Sequence, residues 1–227
     1  MRTMRCERWR RVRLVSAFLA AVCVMGAQEP ALLVRVYNPA DAPAWVLRAA
    51  IEEATVLFQR SGVDVRWVHC EPVPERAAGD PCRESADPRA FSIGVTREVP
   101  AGVARGALAF SLLNAANRNH GAVFYGRVSD VARRYDPVVS CHQVLGHAMV
   151  HEIVHLALGG SDHDDSGLMR GEWRPADFRA MGQRGLRIAE PRLRLLKSEL
   201  VARGGGAAAI GDIVGRAWLP MTISRSR

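Results

Sequence analysis

The sequence predicts an α/β (α+β) domain in which a small mixed, twisted sheet has one backing helix, a second long helix and a helical C-terminal part. Short runs rich in β-branched residues precede and follow a run with helical spacing in the first hundred residues. A long, mostly apolar run at 144–158 is typical of a buried helix. The region 173–200 is also predicted to be mostly helical, and this order of elements is typical of one mixed sheet layered against helices.

The first strand and the backing helix are predicted from residue type and spacing. Residues 32–37 form a β-branched run that Asn38-Pro39 ends. From 43 to 60 the apolar residues recur at the spacing of one helix face, and Ser61-Gly62 follows as an end signal. Residues 63–68 alternate between apolar and polar, which predicts a second strand.

The middle of the chain is less regular. Residues 91–96 and 121–128 are predicted strands, and Ser129 is a candidate cap for a short helix through Arg134. Between them, residues 97–120 contain several Gly, Ala and Asn residues with little periodicity. No element is predicted there.

A long helix is predicted from about Pro137 to Leu158, and Gly159-Gly160 supplies its C-terminal stop. The later helical region has Pro175 and Pro191 near two helix starts, where proline is favoured. The run of Gly and Ala that begins at 204 predicts a weakly ordered tail.

Residues 1–27 have the pattern of a secretory signal peptide. Six arginines precede a short apolar run, and Gly26-Ala27 offers small residues for cleavage. The apolar run is shorter than the ~20 residues of a membrane span, although an uncleaved anchor is the alternative. We therefore expect a secreted or periplasmic protein with no stable membrane insertion beyond this segment.

Much of the positive net charge of the chain comes from the predicted signal peptide, which we call the leader. The full sequence has a formal net charge of +8, whereas removal of residues 1–27 leaves 25 basic and 22 acidic residues, or +3. No basic stripe with interleaved aromatic residues marks a nucleic-acid surface, so no nucleic-acid partner is expected. We predict three segments: 1–27 as the signal peptide, 28–203 as one domain, and 204–227 as the tail.

Three cysteines follow the leader, and export would permit disulfides. Cys70 and Cys82 flank a loop rich in Pro and Gly, so we expect a disulfide between them. Cys141 is then left as an unpaired thiol. No paired cysteine spacing indicates a cysteine metal site.

The most specific pattern is His151-Glu152-Ile153-Val154-His155, an HExxH motif. Histidines at i and i+4 share one helix face and can reach one Zn²⁺. The intervening glutamate can act as a general base beside the metal. Because the surrounding helix is apolar, the burial of these polar residues without partners would be unfavourable, and a metal removes that penalty.

The motif and the order of elements resemble the zincin metallopeptidases, and among them the metzincins, which continue HExxH as HExxHxxGxxH and add a methionine-containing turn. The resemblance implies zinc as the cofactor, His151 and His155 as its first two ligands, and Glu152 as the catalytic residue. It places the third ligand on His163 and the methionine of the turn on Met169. The motif covers 147–170, and the element order extends loosely over 32–200.

The chain departs from the metzincin pattern in its spacing. The second and third histidines are eight residues apart rather than six, and the glycine, Gly159 or Gly160, comes late. His163 is our choice for the third ligand, because neutral imidazole is the commonest biological metal ligand. Other candidates remain open, and all are carboxylates that follow the helix: Asp162, Asp164, Asp165, Glu172 and Glu190.

His147 lies one helical turn before His151, and we interpret it as a structural or supporting residue. The resemblance implies a zinc-dependent endopeptidase that acts on peptides or proteins, with Glu152 as the general base toward the attacking water. The alternative from another class is a non-catalytic, zinc-stabilised envelope or binding protein with the same fold. In that case a fourth protein ligand would close the site.

Overall fold

The computed structural model describes residues 31–205 except 72, 74, 76, 84–86 and 114–118. The predicted signal peptide at 1–27 and the tail after residue 205 lie outside the described residues. No helix among the described residues is long and apolar enough to cross a membrane.

A five-stranded sheet forms one layer of the domain, and its spatial order is β2-β1-β3-β5-β4. The first four of these strands run parallel, and β4 pairs antiparallel with β5 at the edge of the sheet. The strands are β1 (Ala31–Tyr37), β2 (Asp64–Cys70), β3 (Ala90–Thr96), β4 (Ala109–Leu112) and β5 (His120–Phe124). The mixed sheet agrees with the predicted fold class.

Helix α1 (Ala44–Arg60) connects the parallel strands β1 and β2 and backs the sheet. Parallel strands require such a crossover. Its buried face carries apolar residues at helical spacing, and the chain leaves the helix through Ser61 and Gly62, where Gly62 has φ +62°. The predicted helix and its end signal are confirmed.

Helix α3 (Cys141–Leu158) packs against α1 in the core. Gly146 allows this close approach, since a Cβ atom there would lie 2.7 Å from the Ala50 carbonyl oxygen. The helix begins four residues later than predicted because the Ser140 side chain accepts from the Gln143 amide, while the Gln143 side chain accepts from the Ser140 amide. It ends at Gly159, which has φ +65°, as the sequence predicted.

The prediction of a strand over 121–128 was wrong beyond Phe124. Helix α2 (Tyr125–Arg134) begins directly after β5, and Ser129 lies inside it rather than at its cap. Val128 and Ala132 form the buried side of α2, one turn apart, so burial at helical spacing overrides the β-rich composition of this short run. The unpredicted region 97–120 contains the edge strand β4.

The C-terminal part consists of α4 (Pro175–Arg184), with proline in its first turn, and α5 (Glu190–Gly205), which includes the first two residues of the predicted tail. The predicted disulfide between Cys70 and Cys82 is present. Cys141 is a free cysteine.

Candidate metal centre

Helix α3 places His151, Glu152 and His155 on the side that faces the sheet edge and the loop after the helix. All three are buried, with exposed fractions of 8%, 5% and 5%. The two imidazole rings meet edge to face, with their centroids 4.7 Å apart. One helical turn separates them, as the i, i+4 spacing requires.

The loop that follows α3 brings a third imidazole to the same point. After Gly159 the chain turns back, and the Nε2 atom of His163 lies 3.2 Å from Nε2 of His155. The Nε2 atoms of His151 and His155 are 3.0 Å apart. Together these residues form a cluster whose candidate ligand atoms all lie within 4.8 Å of one another.

Backbone carbonyls determine which ring nitrogens of the two helical histidines carry hydrogen. Nδ1 of His151 donates to the Leu168 carbonyl oxygen at 2.8 Å, and Nδ1 of His155 donates to the Gly160 carbonyl oxygen at 2.8 Å. Burial, with a contribution from the neighbouring histidines, lowers the pKa of His151 to about 3 and that of His155 to about 4. Both rings are therefore neutral, and their Nε2 atoms present lone pairs.

The Nε2 atoms of His151 and His155 cannot hydrogen-bond to each other, because the proton of each of these two rings is on Nδ1. Two ligands about 2.05 Å from a tetrahedral zinc ion lie about 3.3 Å apart, close to the separations observed here. A metal ion would convert this repulsive contact between two lone pairs into a pair of ligands, with His163 beside them, and the carbonyl partners are of the kind that orient zinc-binding histidines. The residues present fit a zinc ion.

The carboxylates that compete with His163 for the third position do not join the histidine cluster. Asp164 forms an ion pair with Arg192 at 2.7 Å, and Glu190 forms one with Arg194 at 3.4 Å. The remaining three candidates are exposed: Asp162, Asp165 and Glu172. Within the described ranges, no Asp, Glu or Cys joins the histidine cluster. The assignment of ligands among these residues stays a prediction.

Glu152 is linked to the edge strand by a contact that the sequence did not predict. The hydroxyl of Ser111 on β4 donates to Oε2 of Glu152 at 2.7 Å. Burial raises the pKa of Glu152 to about 7, and the Ser111 hydrogen bond opposes this rise. Ser111 lies 41 residues from Glu152 in a segment without clear periodicity, so no local signal in the sequence could have identified it.

Residues 167–173, which follow the cluster in the chain, pack against it. The Leu168 carbonyl oxygen accepts from both His151 and the indole nitrogen of Trp173, the latter at 3.2 Å. Gly167 has φ +76°, and a Cβ atom there would lie 2.6 Å from the Arg187 carbonyl oxygen. Met169 is fully buried in the core. Its role as the methionine of a metzincin-like turn stays a prediction.

Gly171 packs directly over the ring of His163. A Cβ atom at this position would lie 3.0 Å from Cγ and 3.2 Å from Nδ1 of the imidazole. Such distances are tighter than ordinary van der Waals contact, so the absence of a side chain here allows the His163 ring to stand where it does.

His147 has the structural position that the sequence predicted. It is completely buried, its Nδ1 donates to the Gln143 carbonyl oxygen at 2.8 Å, and its Nε2 accepts from the Leu186 amide at 2.9 Å. Burial lowers its pKa to about 4. The neutral ring thus attaches α3 to the chain that precedes α5, and it is not a member of the histidine cluster.

The cluster opens into a cleft of about 830 Å³ between the edge strand and the C-terminal segments. Ser111 and Phe110 of β4 contribute to its lining, as do Trp173 and Phe178 of the C-terminal segments. The ring of Trp173 stands perpendicular to that of His151, with 5.8 Å between centroids. His163, the exposed member of the cluster, opens to this cleft.

Of the comparisons with known proteins, the one with solved structures found chains of a similar fold. No family model matches the chain, and no curated protein matches it. Solved structures do match, among them the crystal structure of archaemetzincin from Methanopyrus kandleri, with a TM-score of 0.50 and 12% sequence identity over 78% of this chain and 99% of that chain. At this level of identity the likeness shows the fold. The predicted mixed α/β fold class is confirmed.

Proposed function

We propose that this chain is a secreted, zinc-dependent metallopeptidase with a metzincin-like site, in which His151, His155 and His163 hold the metal. One observation carries the proposal: three imidazoles converge in an open cleft, next to a buried glutamate, and the two on the helix present unprotonated Nε2 atoms. The archaemetzincin fold supports it. A disulfide is consistent with an oxidising compartment, and the leader pattern at 1–27 agrees with export.

The ligand count favours a catalytic role over a structural one. Structural zinc sites usually have four protein ligands, whereas catalytic sites have three and leave one position for water or substrate. In the part of the chain that the structure describes, the cluster has three members. When bound, zinc would supply a Lewis acid that polarises the substrate carbonyl and lowers the pKa of water.

Glu152 is the proposed general base. Ser111 holds its Oε2 atom, which leaves Oε1 to accept a proton from the attacking water and later to deliver that proton to the leaving amine. A pKa raised to about 7 by burial would suit a group that must both take and give a proton near neutral pH. In a purely structural site, a buried carboxylate that is not a metal ligand would be unfavourable and would have no role. Its presence here disfavours the non-catalytic alternative.

The test combines zinc content with cleavage of a mixed peptide library. Wild type and Glu152→Gln should each contain one zinc per chain by elemental analysis, but only wild type should cleave. His163→Ala should lose zinc. The exposed His69 on β2 provides the matched control, and His69→Ala should behave as wild type. Turnover by Glu152→Gln would contradict the base role, and a folded wild type without zinc affinity would contradict the whole proposal.

A further inference from the structure

The cleft is lined by an excess of arginine. Five arginines contribute to its walls: Arg105, Arg127, Arg134, Arg170 and Arg174. Three acidic residues also line it, namely Asp130, Glu152 and Glu172. This excess is local, because the chain that follows the leader is close to neutral.

Internal contacts account for some of these charges. Asp130 contacts Arg133, so its charge is compensated outside the cleft. Arg170 forms an ion pair with Asp177 at 3.0 Å. Arg127 donates to the Ala104 and Ala107 carbonyl oxygens and thereby holds the loop before β4.

Arg105, Arg134 and Arg174 form no ion pair within the described ranges, and all three are exposed. They come from separate parts of the wall: the loop before β4, the last turn of α2, and the residue before α4. On α2, Arg134 follows Arg127 and Val131 at helical spacing, so these residues share the face that lines the cleft.

A bound chain would cover these arginines and remove water from their guanidinium groups. Guanidinium groups recognise carboxylates through paired, charge-assisted hydrogen bonds that strengthen as water is excluded. A lysine or arginine side chain in the same place would meet a net positive charge, since Glu172 offsets only part of the charge of the lining arginines. A wall of this charge would discriminate between bound chains by charge, in addition to the apolar contact that the half-buried Trp173 offers.

We propose that the cleft selects peptides with acidic side chains and that Arg134 and Arg174 recognise these side chains; the proposal deepens the proposed peptidase function and rests on it. Both arginines act as specificity-determining residues. Neither belongs to the histidine cluster, so their substitution should leave zinc content unchanged.

The test measures binding without turnover, in the zinc-loaded full chain that carries Glu152→Gln. Three fluorescein-labelled peptides, identical except for two central Glu, Gln or Lys residues, are compared by fluorescence anisotropy. The Glu peptide should bind about tenfold more tightly than the Gln peptide, which corresponds to about 1.4 kcal/mol, and the Lys peptide should bind least. When Arg134→Gln and Arg174→Gln are added to the Glu152→Gln protein, the three peptides should bind with similar affinity. Arg48→Gln, at an exposed site on α1, should leave the ranking of affinities unchanged.

A charge reversal tests whether the preference follows the charge at these two positions. The protein with Arg134→Glu and Arg174→Glu should bind the Lys peptide most tightly. Equal binding of the three peptides, or a Glu preference that survives the double substitution, would overturn the inference. A single-stranded oligonucleotide that bound more tightly than the Glu peptide through the same arginines would overturn the peptide assignment. Unselective cleavage by a zinc-loaded wild type would leave the proposed function standing while this inference failed.

Discussion

The hydroxyl of Ser111 on edge strand β4 donates to the carboxylate of Glu152 on α3 at 2.7 Å, and it also lies 3.1 Å from the Glu152 carbonyl oxygen. This contact joins the strand that forms one wall of the cleft to the residue proposed as the general base. A displacement of β4 would therefore change the position or the hydrogen bonding of the Glu152 carboxylate.

The first prediction concerns Ser111→Ala. Because the hydroxyl stabilises the ionised carboxylate, its loss should raise the pKa of Glu152, in the same direction as burial already shifts it. The acid limb of the kcat/KM profile should move to higher pH by about one unit, so that activity on that limb falls roughly tenfold. Zinc content should be unchanged. Ser111→Thr retains the hydroxyl and is the control; an acid limb at the wild-type position in Ser111→Ala would show that the hydrogen bond does not act on the base.

The second prediction concerns Gly171→Ala. The new Cβ atom would lie 3.0 Å from Cγ of His163, so the ring must leave its present position by a few tenths of an ångström. Zinc affinity, measured by competition with a chelator, should fall by about 10–100-fold, as for other losses of ligand support. Gly126→Ala, where a Cβ atom would meet nothing within 4 Å, is the matched control. Unaltered affinity in Gly171→Ala would argue against His163 as a ligand.

The third prediction concerns Gly146→Ala, which tests the packing of α3 on α1. Its Cβ atom would lie 2.7 Å from a backbone oxygen of α1 that cannot rotate away. The helices should be forced apart, with a loss of about 1–3 kcal/mol in the free energy of unfolding. Urea unfolding with saturating zinc measures this loss, again against Gly126→Ala. Equal stability of the two variants would mean that the helices separate without penalty.

The fourth prediction concerns the dependence of stability on pH at His147. Its folded pKa of about 4 lies below the ordinary histidine value of 6.5, so the unfolded chain binds more protons between these values. The stability linked to this residue is present above pH 6.5 and is lost as the pH falls toward 4.

Comparison of wild type with His147→Gln isolates this term, since the other histidines titrate in both proteins. The stability advantage of wild type should shrink by about 2 kcal/mol between about pH 7.5 and about pH 5. Urea unfolding at the two pH values measures the difference. A gap that stays constant with pH would show that His147 does not remain neutral in the folded protein.

Much of the scaffold was predictable because its signals are local. The spacing of apolar residues identified α1, and glycines after α1 and α3 marked where these helices end. The Pro-rich loop between Cys70 and Cys82 indicated the disulfide. Each of these features depends on neighbours within a few turns of the chain.

Local patterns were insufficient where burial depends on distant partners. The run after Phe124 has a strand-like composition but forms α2, because Val128 and Ala132 pack into the core at helical spacing. Strand β4 has only four residues and one neighbour in the sheet, so its sequence carries little periodicity.

The sequence by itself determined that two histidines and a glutamate share one turn of a buried helix, since the 3.6-residue period leaves no other arrangement. Tertiary structure decided the rest of the site. The loop after Gly159 brings His163 to the two helical imidazoles while Arg192 holds the neighbouring Asp164. The sheet edge brings Ser111 to Glu152 across 41 residues. These contacts depend on how loops and strands pack in three dimensions, and no short-range spacing in the chain encodes them.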